Sequence, residues 1–111
     1  MLIRTVRLTF APDAVEAFLT QFDESAPQIR ASPGCRHLEL WRDADAPAVF
    51  TTLSHWDSAD ALDAYRASEL FTSTWAAVKP LFSARPRAHS YRVARPAASI
   101  APAPDPTDDV A

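Results

Sequence analysis

Hydrophobic and polar positions alternate with period two over residues 2–10, which predicts a first β-strand with one buried face. Apolar residues then recur at helical spacing over residues 15–29, although Ser25 and Pro27 predict a break or kink near Ser25. Residues 35–42 and 49–56 alternate again around a polar, proline-bounded loop and predict a β-hairpin. A second helical pattern follows Trp56 with a predicted break near Ser68, and residues 87–93 predict a fourth strand.

The element order β-α-β-β-α-β predicts a ferredoxin-like α+β domain with a four-stranded antiparallel sheet and its helices on one face. We assign residues 1–93 to this domain. Residues 94–111 are proline-rich, end in acidic residues and show no periodicity, so we predict a disordered tail there. Gly34, the single glycine, follows Ser-Pro in a turn and predicts a positive φ.

Composition limits the possible partners of the chain. The 111 residues suit one domain, and a net charge of −3 with scattered basic residues gives no footprint for nucleic acid. A lone cysteine excludes an internal disulfide or a multi-cysteine zinc site. Charges in the first ten residues argue against a signal peptide or a membrane span, so we expect a cytoplasmic protein that does not bind membranes.

Strand alternation assigns the side chains to two faces of the sheet. The predicted helix-facing residues are Val6, Leu8, Phe10, Leu38, Leu40, Phe50, Thr52, Ser54, Trp56, His89 and Tyr91. Period two then directs His37 and His55 to the opposite face, which also carries Trp41 and Leu53. Because a monomer would leave these bulky side chains in water, we predict a homodimer packed sheet to sheet.

Two segments resemble the antibiotic biosynthesis monooxygenase domain family of dimeric α+β barrels. They read SPGC…HLEL and SHWDSADALDAYRASELF, and the resemblance covers residues 2–93. It implies a homodimer with one pocket per subunit between helices and sheet, and it aligns Trp56 with the family's pocket tryptophan. The family includes cofactor-free oxygenases of phenols and quinols, haem-degrading enzymes and isomerases. Trp75 stands where the haem-degrading branch has its iron-ligating histidine, and Val6 where that branch has a pocket asparagine.

A cofactor-free oxygenase needs a base and an apolar pocket, because its substrate must form the anion that reduces oxygen. His89 is the only histidine predicted to face the helices, so we predict it as the catalytic base. The resemblance adds Trp56 as the second predicted catalytic residue. The predicted substrate-binding residues are Leu38, Phe50, Thr52, Ser54, Tyr65 and Tyr91. Each has a simpler interpretation as a core or strand residue. No GxGxxG motif or metal-ligand spacing occurs, so we predict no cofactor and no metal.

The sequence therefore predicts a cofactor-independent monooxygenase of a small aromatic phenol or quinol. Three alternatives stay open at this point: a non-catalytic domain that binds a small hydrophobic ligand, a haem-binding or haem-degrading protein, and an isomerase. All of them need an enclosed apolar pocket with a few polar groups, which is why the pattern alone does not separate them.

Overall fold

The structure, a computed structural model, describes residues 1–104. The elements are β1 (Leu2–Thr9), α1 (Val15–Arg30), β2 (Cys35–Arg42), β3 (Val49–Trp56), α2 (Ala59–Arg66), α3 (Glu69–Val78) and β4 (Arg87–Arg92). The sheet is antiparallel throughout, with strand order β2-β3-β1-β4. This arrangement confirms the predicted ferredoxin-like α+β fold. Within residues 1–104, no helix is long and apolar enough to cross a bilayer.

The second helical segment divides where the sequence predicts it. Ser58 begins α2 by accepting a hydrogen bond from the Ala61 backbone N–H at 3.1 Å. Ser68 begins α3 in the same way, with its hydroxyl accepting from the Phe71 N–H at 3.2 Å. A serine hydroxyl at this position satisfies a backbone donor that has no partner inside the helix.

The predicted break in α1 near Ser25 is wrong. The helix runs unbroken through Pro27 to Arg30. Pro27 is exposed and lies in the last turn, so its missing N–H removes one hydrogen bond at a place that water reaches. The Ser25 hydroxyl does not cap a new helix but donates to the Gln21 carbonyl at 2.9 Å, one turn back in the same helix.

Gly34 has the predicted positive φ, at 82°. A Cβ atom at this position would lie 2.6 Å from the Ala61 Cβ in the first turn of α2, closer than two carbons can approach. The Gly34 carbonyl also accepts a hydrogen bond from the Asp57 N–H at 2.8 Å. The turn before β2 is therefore held directly against the start of α2, and glycine is required there by both conformation and space.

Residues paired across neighbouring strands share a face of the sheet. On the helix side, one row across the four strands consists of Ser90, Arg4, Ser54 and Leu38. The other side, here called the open face, has no helix packed on it within the described residues. It carries Ile3, Thr5, Arg7, His37, Glu39, Trp41, Thr51, Leu53, His55, Arg87, His89 and Tyr91. His37 and His55 thus lie where alternation predicts them.

The facing of β4 differs from the prediction. His89 pairs with Thr5 and Tyr91 pairs with Ile3, so both side chains belong to the open face. Both are exposed, and Tyr91 retains 51% of its surface. The prediction that His89 and Tyr91 face the helices is wrong.

The helix side of β4 is formed by small residues instead. Ala88 pairs with Val6, and Ser90 pairs with Arg4. Alternation separates the two faces of this strand, but the face that was assigned to the helix side is the open one. Ala88 borders the cavity described below, and Ser90 accepts a hydrogen bond from the Arg4 guanidinium at 3.0 Å.

The interior contains two separate hydrophobic clusters rather than one. The larger contains Leu8, Phe10, Val15, Phe18, Phe50 and Val78, and the smaller contains Leu2, Cys35, Trp56 and Leu62. Aromatic packing fills the larger cluster: the Phe50 ring lies 5.3 Å from the Phe18 ring and 6.1 Å from the Phe10 ring, between centroids. Two clusters in a domain of this size leave room for a cavity between them.

The predicted tail is described only as far as residue 104. Residues 94–104 are exposed and contain a single turn of 3-10 helix at Ala97–Ser99. The remainder of the tail, residues 105–111, lies outside the described residues.

Candidate functional site

A cavity of about 380 Å³ lies between the helix side of the sheet and the helices. Ligand sites commonly measure about 300–1,000 Å³, so this cavity suits a small molecule. Its lining joins the two hydrophobic clusters, with Phe18 and Val78 from the larger and Trp56 from the smaller. Only Arg66 and Ala88 of the lining residues are classed as exposed, so the cavity opens between the end of α2 and β4.

One wall of the cavity is a continuous run of aromatic rings. The Trp56 and Tyr65 rings stack with centroids 5.0 Å apart. Phe71 meets the Tyr65 ring edge-on at 5.3 Å, and Trp75 stacks on Phe71 at 5.9 Å with only 9° between the planes. We call these four residues the aromatic wall. Such a surface suits a flat aromatic ligand, because offset stacking adds to the gain from apolar burial.

Trp56 is fixed at the inner end of the wall. It is only 1% exposed, and its indole Nε1–H donates to the Ser54 hydroxyl at 2.9 Å. Since the Ser54 oxygen accepts this bond, its own hydrogen remains available to another acceptor. Ser54 is itself 7% exposed and lines the cavity, so a ligand oxygen beside Trp56 would meet a hydroxyl donor.

The Tyr65 hydroxyl is a second potential donor in the lining. Burial, with a smaller contribution from the nearby Cys35 thiol, raises the pKa of Tyr65 to about 12. The phenol is therefore protonated at physiological pH. It suits donation of a hydrogen bond to a ligand oxygen and does not suit service as a base.

Arg4 and Arg66 are the two charged residues that line the cavity. The Arg4 guanidinium donates to the Ser90 hydroxyl at 3.0 Å and so reaches along its row towards β4, at the cavity opening. Burial lowers the pKa of Arg4, and the positive charge of Arg66 lowers it further, while the carboxylate of Asp63 acts in the opposite direction. Neither arginine forms a salt bridge within residues 1–104.

The structure places five predicted site residues in the cavity lining: Leu38, Thr52, Ser54, Trp56 and Tyr65. The other three lie elsewhere.

Phe50 is on the helix side as predicted, but it is 3% exposed inside the larger hydrophobic cluster and does not line the cavity. His89 and Tyr91 lie across the sheet on the open face, where their rings are 6.3 Å apart. Their predicted access to the cavity is therefore wrong.

Sequence reasoning missed Arg4 and Arg66, and it did not include Trp75 among the predicted site residues. The signal for Arg4 was present, because it is a charged residue in an otherwise apolar period-two series between Leu2 and Val6. A charge at a helix-facing strand position is costly unless the side chain reaches water or a partner. Arg66 carries no comparable signal, since an arginine in the last turn of a helix is common.

Among the described lining residues there is no histidine, carboxylate, lysine or cysteine. Over residues 1–104, no group of three or more His, Cys, Asp or Glu side chains is arranged to hold a metal ion. The polar chemistry that this cavity offers consists of hydroxyl donors and two guanidinium groups.

Comparisons with known proteins agree with this architecture. The model of the antibiotic biosynthesis monooxygenase family matches residues 1–77. A crystal structure named antibiotic biosynthesis monooxygenase superposes with a TM-score of 0.79 at 22% identity, covering 84% of this chain and 98% of that one.

Rv0793 from Mycobacterium tuberculosis gives a TM-score of 0.79 at 25% identity, covering 86% of this chain and 97% of that one. A conserved protein from Methanosarcina mazei Go1 gives a TM-score of 0.78 at 19% identity, covering 83% of this chain and 92% of that one. Comparison with curated protein sequences found no match.

Proposed function

The chain belongs to the antibiotic biosynthesis monooxygenase family, and from this premise we propose that it is a cofactor-independent monooxygenase that oxidises a small phenol or quinol in the cavity. The aromatic wall beside the Ser54 hydroxyl carries this proposal. It offers a flat ring a stacking surface and sets a hydrogen-bond donor at the inner end.

The reaction proposed here takes all its electrons from the substrate. A phenol that is unsubstituted at the para carbon reacts with one O₂ to give a para-quinone and one water. One oxygen atom enters the ring and the other leaves as water, so four electrons pass from substrate to O₂. Because O₂ is a triplet, the first electron must come from an electron-rich anion, which is why the phenol has to lose its proton before it reacts.

Each residue has a role that follows from its chemistry. The Trp56 and Tyr65 rings hold the substrate ring by stacking and exclude water from the reacting carbon. The Ser54 and Tyr65 hydroxyls donate hydrogen bonds to the oxygen that is added to the ring, stabilising negative charge as it develops there. Leu38 and Thr52 complete the surface on the sheet side.

A second candidate function is a non-catalytic domain that binds a small aromatic ligand. One observation favours it: the described lining contains no histidine, carboxylate or lysine that would serve as a general base. The same observation weighs against an isomerase, which also needs a base. Trp75, rather than a histidine, lines the cavity where the resemblance would require the haem ligand.

Oxygen uptake with isotope analysis tests the proposal. The chelator-treated protein is incubated with 1-naphthol under ¹⁸O₂, with boiled protein as the blank, and O₂ consumption and product mass are measured. We expect naphthoquinone carrying one ¹⁸O atom, with the second label in water. Trp56→Phe and Ser54→Ala should each lower kcat about 100-fold, the size expected when a reacting group is misplaced or an oxyanion donor is lost.

His89→Ala is the matched variant for this experiment, since His89 lies on the open face and we expect its kcat to stay within about twofold of the wild type. Loss of activity in His89→Ala with full activity in Ser54→Ala would overturn the site assignment. Tight naphthol binding without O₂ uptake, across a panel of phenols and quinols, would favour the binding domain.

We also propose that the open face forms a homodimer. Trp41 and Tyr91 are exposed there at 47% and 51%, and Ile3 and Leu53 extend the apolar surface across the centre of the sheet. A second copy packed on this face would remove these four apolar side chains from water, which favours association through the sheet.

A further inference from the structure

The charge inside the cavity is entirely positive. Arg4 and Arg66 line it, and no acidic residue does so among the described residues. Asp63 is close enough to influence Arg4, but it is exposed, does not line the cavity, and forms no salt bridge with either arginine within the described part of the chain. No salt bridge within the described residues therefore neutralises either guanidinium group.

The position of the two arginines is specific. Arg4 stands in the sheet row directly opposite Ser54, and its guanidinium extends the other way to bond Ser90 on β4. Arg66 follows Tyr65 at the end of α2 and is exposed at the opening. Arg66 thus lies at the opening, and the Arg4 guanidinium extends away from Ser54 and Trp56 towards β4.

We propose that Arg4 and Arg66 form an oxyanion-binding subsite, so that the ligand is held as an aromatic anion whose ring lies on the aromatic wall and whose charged oxygen faces the two guanidinium groups. This inference rests on the proposed function for the identity of the ring. Guanidinium groups suit this task because they keep their charge and present several donors to one oxyanion.

The subsite also accounts for the missing base. A phenol whose oxygen lies between two guanidinium groups ionises more readily, because nearby positive charge favours the charged form of an acid. Its proton passes to water at the opening: ArOH + H₂O gives ArO⁻ + H₃O⁺, with no change in electron count. The phenolate that reacts with O₂ then forms by proton transfer to water and is stabilised by the two guanidinium groups, so no side-chain base is needed.

The oxyanion could be a carboxylate substituent or the ionised phenol oxygen, and two probes distinguish these sources. The first probe is a pair of ligands, 2-naphthoate and naphthalene-2-carboxamide, which share a ring but differ in charge. The second probe is 2-naphthol, whose absorbance reports whether the bound phenol is ionised. Affinities are measured through quenching of tryptophan fluorescence in the full chain at low and high salt.

We expect 2-naphthoate to bind about tenfold or more tightly than the amide, the equivalent of one partly exposed charge-assisted contact. This preference should diminish in high salt, as a solvent-accessible ion pair does. Bound 2-naphthol should show phenolate absorbance at a pH where free 2-naphthol is neutral. Preference for naphthoate without phenolate absorbance would assign the subsite to a carboxylate substituent, and phenolate absorbance would assign it to the reacting oxygen.

Arg4→Gln and Arg66→Gln should each reduce the naphthoate preference several-fold and leave amide binding unchanged. Arg4→Lys should restore part of it, and Arg85→Gln, an exposed arginine outside the cavity lining, should have no effect. If Arg4→Gln does not fold, Arg66→Gln gives the same comparison at an exposed position.

Two results together would overturn the subsite. Naphthoate would bind no more tightly than the amide, or neither would bind, and bound 2-naphthol would show no phenolate absorbance. These tests need no turnover. Failure of the monooxygenase proposal would appear instead as normal anion-selective binding without O₂ uptake.

Discussion

Gly34→Ala is the substitution for which the structure predicts the clearest consequence. The residue has φ of 82°, and a Cβ added there would come 2.6 Å from the Ala61 Cβ. The left-handed conformation costs an L-residue about 1–2 kcal/mol, and forcing an extra methyl into a packed contact costs about 1–3 kcal/mol. We therefore expect the free energy of unfolding to fall by roughly 2–5 kcal/mol, from a typical total of about 5–15 kcal/mol.

The measurement is urea unfolding followed by circular dichroism, at one protomer concentration for every variant because dimerisation would shift the apparent stability. On thermal unfolding, 2 kcal/mol should lower Tm by at least about 8 °C, since about 4–8 °C corresponds to each kcal/mol in a domain of about this length. The substitution also tests the site, because Ala61 is in the helix that carries Tyr65 and Arg66 to the cavity.

A double-mutant cycle separates the two causes. Ala61→Gly removes the atom that the new methyl would meet, so in the Gly34→Ala/Ala61→Gly variant the packing cost should disappear and the conformational cost of about 1–2 kcal/mol should remain. Ala61→Gly alone should cost about 1 kcal/mol, as glycine does within a helix. A Gly34→Ala protein within about 0.5 kcal/mol of the wild type, or a cycle with no coupling between the two positions, would refute the reasoning.

Two further predictions concern the cavity and the open face. Ultraviolet titration should show one tyrosine that ionises near the pKa of about 12 given by burial, and Tyr65→Phe should remove that late phase. The folded-state pKa of Tyr65 exceeds the unfolded value of 10.0, so the stabilisation from its neutral phenol should be complete below pH 10 and be lost between pH 10 and 12. A free energy of unfolding that is flat across this window in the wild type but not in Tyr65→Phe would contradict this. Leu53→Glu, at the centre of the open face, should give a monomer by light scattering, whereas Ala64→Glu on the exposed side of α2 should leave the dimer intact. A wild-type protein that is monomeric at micromolar concentration would contradict the proposed interface.

Much of the fold follows from local patterns that tertiary contacts do not reverse. Period-two alternation set the faces of β1, β2 and β3 correctly, including Trp56 towards the helices and His55 away from them. The break predicted near Ser68 coincides with the start of α3, which the Ser68 hydroxyl caps. The break expected in α1 failed because the cost of Pro27 depends on its exposure and its place in the last turn, which the local sequence does not specify.

The cavity was harder to predict because alternation gives the face of a residue but not what fills the space above it. On β4, His89 was assigned to the helix side, whereas Ala88 lies there and its small side chain borders the cavity. On β1, Arg4 interrupts an apolar series at a helix-facing position, which a solid core would not tolerate and an open pocket does. Small residues on an inward-facing strand and an isolated charge on its neighbour are thus two signs of one cavity. The same argument leads to the proposed anion subsite, because the charge that reveals the space is also the group that would select a ligand of opposite charge.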